Sequence, residues 1–295
     1  MVVGSGILYV VATPIGNLND ISPRALEILT SVELIAAEDT RRTGRLLTHF
    51  GIDTRLLSCH EHNESQRVPQ IIEHLAAGAD IALVSDAGTP LLSDPGYRLV
   101  AAAREHGLPV SPVPGCSAVV AALSVAGLPV DRFRFEAFLP ASKTQRKKRL
   151  AELSRTTETL VLFESVHRIR DSLRDLAELF GSDRPAAVAR ELTKLNETVY
   201  RGTLAEVMVA ICADPGSGKG EITIIVAGCG APVDSKDAEL ERVLGILLED
   251  HSATRAARIA ARITGFSRRA VYRIAVKQRQ AGGGDNGDAC GEVGQ

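Results

Sequence analysis

The chain has 295 residues, 45% hydrophobic and 24% charged, with 34 Lys and Arg against 36 Asp and Glu and a net charge of −2. These values belong to a soluble globular protein long enough for two domains and a small third module, and they exclude a disordered chain. The near-neutral balance carries no global signal for nucleic acid, although acidic residues elsewhere can hide a local basic patch. Cys59, Cys116, Cys212, Cys229 and Cys290 form no C-x-x-C pair. They read as reduced thiols of a cytosolic protein, against a disulfide or zinc framework. The first residues, MVVGSGILYVVATPIGN, lack a basic start, and the apolar run 7–12 is too short for a signal core or a membrane span. A cytoplasmic protein without a membrane partner is expected.

In chain order, the pattern predicts strands over 7–12, 32–38, 55–59, 81–85 and 108–113. Helices fall between them. One covers 23–29, with Ser22 as N-cap and Pro23 at the first helical position, and another covers 95–107, closed by Gly107. This alternation is an α/β fold. After 126–135 the rhythm resumes with strands over 133–138, 159–165, 186–192, 197–203 and 220–228. The strands at 186–192 and 197–203 are joined by too few residues for a parallel crossover, so a mixed sheet is predicted. The expected organisation is an α/β domain over 1–118, a second α/β domain with a mixed sheet over 119–230, a basic helical module over 231–280 and a disordered glycine-rich tail over 281–295.

Several segments carry chemistry at strand ends, where open α/β sheets place their ligands. The loop VSDAGTPLLSDPG (84–96) has the glycines of a phosphate grip but two carboxylates, Asp86 and Asp94, that are unsuited to phosphate. ATPIGNLND (12–20) holds one glycine and does not fit G-x-G-x-x-G. DPGSGKGE (214–221) is not a P-loop: Ala213 replaces the first glycine, Gly220 replaces the hydroxyl residue, and a strand follows. EDTRRTGRLL (38–47) ends a strand in Glu38 and Asp39, and Asp39 or Thr40 can cap the next helix. CHEHNES (59–65) offers His60, Glu61 and His62 without a third and fourth ligand, so no metal site is assigned and a polar loop near the active site is preferred. His167 in FESVHRIRDSL (163–173) is balanced between packing at a helix start and contacting substrate. RELTKLNE (190–197) places four charges in eight residues beside a strand end.

Two basic islands stand out. ASKTQRKKRLAELSR (141–155) has six Lys and Arg against one Glu, and 251–279 has eight and no acid. In the second island Arg255, Arg258 and Arg262 share one helix face and Arg269, Arg273 and Lys277 another. Ile259, Ile263, Val271 and Ile274 supply the apolar side, Thr264-Gly265-Phe266 makes the turn, and Ser267 can cap the following helix. This is helix-turn-helix-like text that favours an RNA or DNA partner.

The segments LYVVATPIGNLNDISPRALEIL (8–29), AEDTRRTGRLL (37–47), VSDAGTPLLSDPG, PVPGCSA (112–118), FESVHR (163–168), ARELTKLNE (189–197) and KGEITIIV (219–226) together resemble the ribosomal RNA small subunit methyltransferase I family. This is the 16S rRNA cytidine 2′-O-ribose methyltransferase branch of the tetrapyrrole methylase superfamily. The resemblance spans about residues 7 to 228 and implies a homodimer of two α/β domains holding S-adenosylmethionine in the cleft between them. It further implies methylation of a cytidine ribose in 16S rRNA, with the assembled small subunit as substrate, and a C-terminal helix-turn-helix extension. Carried over, the donor contacts are Pro14, Ile15 and Gly16, then Asp86, Gly88 and Thr89, then Ser117 and Ala118. In the second domain they are Phe163, Leu192, Glu221 and Ile222.

For the 2′-hydroxyl proton, Asp39 is the first candidate acceptor, with Arg41 positioning RNA phosphate and Glu38 and His62 in reserve. Of the two loop acids, Asp86 is expected at the donor and Asp94 at the cap of the next helix. Three rival classes remain. A tetrapyrrole-type small-molecule methyltransferase has no need of the basic helices, an RNA-binding module leaves the acidic cleft unexplained, and a nucleotide-phosphate hydrolase lacks its phosphate loop.

Overall fold

The computed structural model describes residues 4–229 and 235–282. The chain divides into two compact units, Met1–Cys229 and Gly230–Gln295. The first unit contains two five-stranded sheets.

The first sheet is wholly parallel. Its strands are β1 (Leu8–Val11), β2 (Leu34–Ala37), β3 (Arg55–Ser58), β4 (Ile81–Val84) and β5 (Val110–Val113), in spatial order β3-β2-β4-β1-β5. Helices α1 (Pro23–Ser31), α2 (Thr40–His49), α3 (Glu64–Ala76) and α4 (Tyr97–Glu105) cover it on both faces. Because side chains alternate along a strand, β2 sends Leu34 and Ala36 to the cluster under α3 and α4, and Ile35 and Ala37 to the cluster under α1 and α2. A strand buried on both faces reads as a continuous apolar run, which is how these segments stand out in the sequence. Ser22 caps α1, accepting the Ala25 N–H at 3.1 Å, with Pro23 following it.

The second sheet is mixed, as expected. Its strands are β6 (Phe133–Phe138), β7 (Thr159–Ser165), β8 (Pro185–Arg190), β9 (Thr198–Thr203) and β10 (Glu221–Val226), in order β6-β7-β10-β8-β9. Only the β6–β7 pair is parallel; β8 and β9 run antiparallel, in keeping with their short connection. Helix α5 (Ala118–Ala126) covers one face, and α6 (Lys143–Leu153), α7 (Ile169–Phe180) and α8 (Leu204–Ala213) cover the other.

The first basic island is not what its composition suggests. Arg146 is buried and bonds to Asp175 at 2.7 and 2.8 Å, Lys147 pairs with Glu178 at 2.6 Å, and Arg149 pairs with Glu136 and Glu152. Three of its six cations therefore bind α6 to α7 and β6, and only Lys143, Lys148 and Arg155 are left without an ion pair among the described residues.

The second unit is built of α9 (Ser235–Asp250), α10 (Ala253–Thr264) and α11 (Arg268–Gly282). Gly265, left-handed at φ 75°, ends α10, and Ser267 accepts the Ala270 N–H at 3.3 Å. Its buried side agrees with the expected one on α11, where Val271 is buried and Ile274 packs against the core, and differs on α10. Ala256, Ala257 and Ala260 of α10 pack with Leu240, Leu244, Val271 and Ala275, whereas Ile263 is 61% exposed. Alanine lets helix axes approach closely, so the small residues face inward and the larger isoleucine is left at the rim. Arg255, Arg258, Arg262, Arg269 and Arg273 are exposed; the side chain of Lys277 and the tail from 283 onward lie outside the described residues. No described helix is long and apolar enough to cross a membrane.

Candidate active site

The C-terminal ends of β1, β4 and β5 open onto a cavity of about 430 Å³ whose far wall comes from β7 and β10 of the second sheet and from the loop after β8. Of the twelve expected donor positions, nine line it: Ile15, Gly88, Thr89, Ser117, Ala118, Phe163, Leu192, Glu221 and Ile222. Residues spread over more than 200 positions of sequence thus meet at one place. Pro14 and Asp86 instead line a neighbouring pocket of about 180 Å³, and Gly16 lines neither.

A wall separates the two pockets. Thr13 and Gly88 exchange backbone hydrogen bonds of 2.9 and 3.0 Å, joining the loops after β1 and β4. Along each loop, consecutive residues then sort to opposite sides: Pro14 from Ile15, and Asp86 from Ala87. Gly88, at φ 79°, meets the requirement for a left-handed residue here, and a Cβ on it would stand 3.3 Å from Ile15 Cγ2. Gly16 permits a close approach across the cleft, because a Cβ there would lie 2.8 Å from the Leu192 carbonyl oxygen; beside it the Asn17 N–H donates to Thr193 Oγ1 at 3.1 Å.

The two loop acids lie opposite to expectation. Asp94 lines the larger cavity, and burial pushes its carboxyl above the usual carboxylate range, opposed by a hydrogen bond from Ser85. It caps nothing: the N-cap of α4 is Gly96, with no side-chain cap, and the buried carboxylate of Glu64 accepts the Arg98 and Leu99 N–H groups at 3.1 and 3.3 Å. Asp86 ties strand ends together, accepting the Asp39 N–H at 3.0 Å and facing Arg42 at 3.3 Å.

Asp39 caps α2 and holds its own neighbour. Its carboxylate accepts the Arg41 N–H at 2.9 Å and the Arg41 guanidinium at 3.1 and 2.8 Å, and these bonds hold it well below the usual range. Asp39 and Arg41 are therefore bound to each other. Glu38 is the contrasting case: burial raises its carboxyl, with smaller contributions from Asp94 and Asp86, while it accepts the Asp86 N–H at 3.3 Å.

On the far wall, Glu164 is buried and fully engaged, bonded to Arg168 at 2.6 and 2.8 Å and to Ser172 Oγ at 2.5 Å, which anchors the end of β7 to the start of α7. His167 is exposed and lines the cavity, whereas His60 and His62, stacked edge to face at 6.0 Å, are not among its lining residues. Among the described residues no group of three metal-binding side chains occurs. Lys194 bridges Glu191 and Glu221 at 2.9 and 3.0 Å; burial works against its charge, but these two carboxylates outweigh it and hold the ammonium protonated.

Backbone strain collects here. Among the described residues, the non-glycine residues with positive φ are Leu91, Ser93, Ala137, Glu191 and Thr193, and all belong to segments bordering the cavity. Ala137 marks a bulge in β6 that turns Phe138 onto the cavity wall, 5.7 Å from Phe163 between ring centroids. Neither Asp94 nor Phe138 was identified as a wall residue from sequence; the closest signal was the pairing of acids with glycines in 84–96.

Comparison with known proteins matches this architecture. The family model for tetrapyrrole (corrin/porphyrin) methylases covers residues 7–208, and that for the RsmI C-terminal HTH domain covers 234–279. The methyltransferase CobJ superposes with a TM-score of 0.57 at 20% identity, over 76% of this chain and 95% of that one. A Thermus thermophilus uroporphyrin-III C-methyltransferase, solved in complex with S-adenosyl homocysteine, superposes at 0.52 with 18% identity, over 75% and 97%. At that identity the likeness is one of fold, the fold of the tetrapyrrole methylases.

Within that class the relatives are much nearer. A ribosomal RNA small subunit methyltransferase I of Xylella fastidiosa is 53% identical over 90% of this chain and 98% of its own, and one of Pseudomonas aeruginosa is 50% identical over 94% and 98%. The chain belongs to the ribosomal RNA small subunit methyltransferase I family.

Proposed function

We propose that the chain transfers the methyl group of S-adenosylmethionine to the 2′-hydroxyl of a cytidine ribose in 16S rRNA of the small ribosomal subunit. The observation that carries this reading is the cavity wall formed jointly by the two sheets, with Asp94, the α5 start and Phe163 around one space. Its volume of about 430 Å³ suits a ligand of that size, since such pockets run from about 300 to 1,000 Å³. The fit extends to chemistry. Asp94 is a partly dehydrated carboxylate that gains from a nearby cation, Phe138 and Phe163 offer apolar faces to a purine, and Ser117 leaves the first-turn N–H groups of α5 without a side-chain cap.

When bound, the sulfonium supplies an electrophilic methyl carbon that the ribose oxygen attacks in line. The protein's own contribution is to align, to exclude water and to take a proton. Asp94, in place of Asp86 as the loop acid at the donor, balances the sulfonium charge. Glu38, which accepts the N–H of the pocket residue Asp86, takes the hydroxyl proton; its carboxyl also binds a proton more readily than an ordinary one, whereas Asp39, held by Arg41, binds one less readily. The remaining donor contacts are the nine cavity residues named above. The exposed arginines of α10 and α11 engage rRNA phosphates. Domain divisions at 118 and 230, a cytoplasmic location and pairing of two chains complete the reading, the last supported by exposed Val120, Val130 and Phe133.

The test is transfer from labelled S-adenosylmethionine to assembled small subunits lacking the modification, followed by digestion to nucleosides. Label in 2′-O-methylcytidine is the expected result. Donor binding without label in any ribose overturns the rRNA assignment and favours a small-molecule methylase.

A further inference from the structure

The 180 Å³ pocket on the other side of the Thr13–Gly88 wall is formed by Pro14, Leu18, Arg42, Arg45 and Asp86, among others. Its charges do not cancel. Arg42 and Arg45 lie three apart on α2 and so project to the same side, and both are exposed. Arg42 makes one 3.3 Å contact with Asp86, and Arg45 has no ion pair among the described residues. Arg41, which follows the strand-end acids Glu38 and Asp39 and is the expected phosphate contact, instead bonds Asp39 through two of its guanidinium nitrogens. Among the lining residues two guanidiniums therefore face one carboxylate, beside the apolar surface of Pro14 and Leu18.

Guanidinium forks suit phosphate oxygens, and the apolar residues suit a ribose or base face. The position is equally telling, since this pocket shares its wall with the donor cavity and Glu38 bonds to the Asp86 N–H at their junction. We infer that this pocket takes a phosphodiester of the RNA beside the acceptor ribose, with Arg42 and Arg45 as its binding residues. The inference rests on the methyl-transfer reading of the neighbouring cavity and adds to it the place where the acceptor strand is held.

The test uses the full chain as wild type, R45Q, R45K and R42Q. Three quantities are measured: KM for unmodified small subunits in methyl transfer, equilibrium binding of the same subunits at several salt concentrations, and donor affinity. For R45Q the expected result is a rise in KM and weaker subunit binding by roughly tenfold to a hundredfold, with the salt slope reduced by about one and donor affinity unchanged. R45K retains part of the binding, because it keeps the charge and loses the fork. Retained donor affinity also shows that the variants are folded. Unchanged KM and subunit binding in both R45Q and R42Q overturn the inference, as does loss of donor affinity in their place, which would assign the pocket to the donor. If the wild type binds subunits yet transfers no label, the methyl-transfer reading fails, and the pocket is judged on the binding arm alone.

Discussion

Thr13 and Gly88 exchange both of their backbone hydrogen bonds, at 2.9 and 3.0 Å, so that two loops 75 residues apart in sequence act as one partition. The larger cavity lies on one side and the arginine-lined pocket on the other, and the proposed in-line transfer needs both held in register.

Replacing Gly88 with Ala strains this partition. The backbone there is at φ 79°, which costs an alanine about 1–2 kcal/mol, and its Cβ would crowd Ile15. Donor affinity measured by calorimetry should fall together with stability in chemical denaturation.

Asp94→Asn separates stability from function. Burial raises the folded-state carboxyl above its unfolded value, so the folded protein holds that proton more tightly and the associated stability is lost as pH rises through the folded value. At neutral pH the variant should therefore melt higher than wild type, with the difference vanishing below the ordinary aspartate value of about 3.9. Donor affinity should drop at neutral pH, where the carboxylate is gone.

Glu38→Gln should lower kcat by roughly 10²–10⁴ with donor affinity intact, in the range of a lost general base. In the wild type the acid limb of the kcat profile should lie above the ordinary glutamate value of about 4.3, because Glu38 must be deprotonated and burial raises it. Asp39→Asn gives the contrast: it keeps a residue that can cap α2 and should leave kcat largely intact.

Arg146→Ala should cost about 3–5 kcal/mol in denaturation, since it strands the buried Asp175 carboxylate. Lys148→Ala, an exposed neighbour in the same basic run, should change stability by less than about 0.5 kcal/mol. An equal effect of the two would contradict the structural role assigned to the first island.

The strands of both sheets were legible because burial on one or both faces writes itself into periodicity. β6 and β7 coincide with their predicted spans, 133–138 and 159–165, and the capping of α1 by Ser22 was legible from two adjacent residues. Ion pairs between elements were not. Asp175 lies 29 residues from Arg146, and apart from Glu152 nothing local to 141–155 signals that its cations are already matched. The bulge at Ala137 was equally hidden, since it depends on how β6 registers against β7. The alanine face of α10 was masked by the larger isoleucines, which are the usual marker of a buried side.

By itself the sequence determined the alternation of elements, the mixed second sheet and the strand-end loops, because each follows from contacts within a few residues. Only the tertiary structure decided which acid serves which pocket. Asp86 and Asp94 share one loop and one composition, and what separates them is the wall made with Thr13 and the carboxylate of Glu64 at the start of α4. Those neighbours are brought in by folding, and desolvation and bonding at a carboxylate depend on the neighbours it acquires.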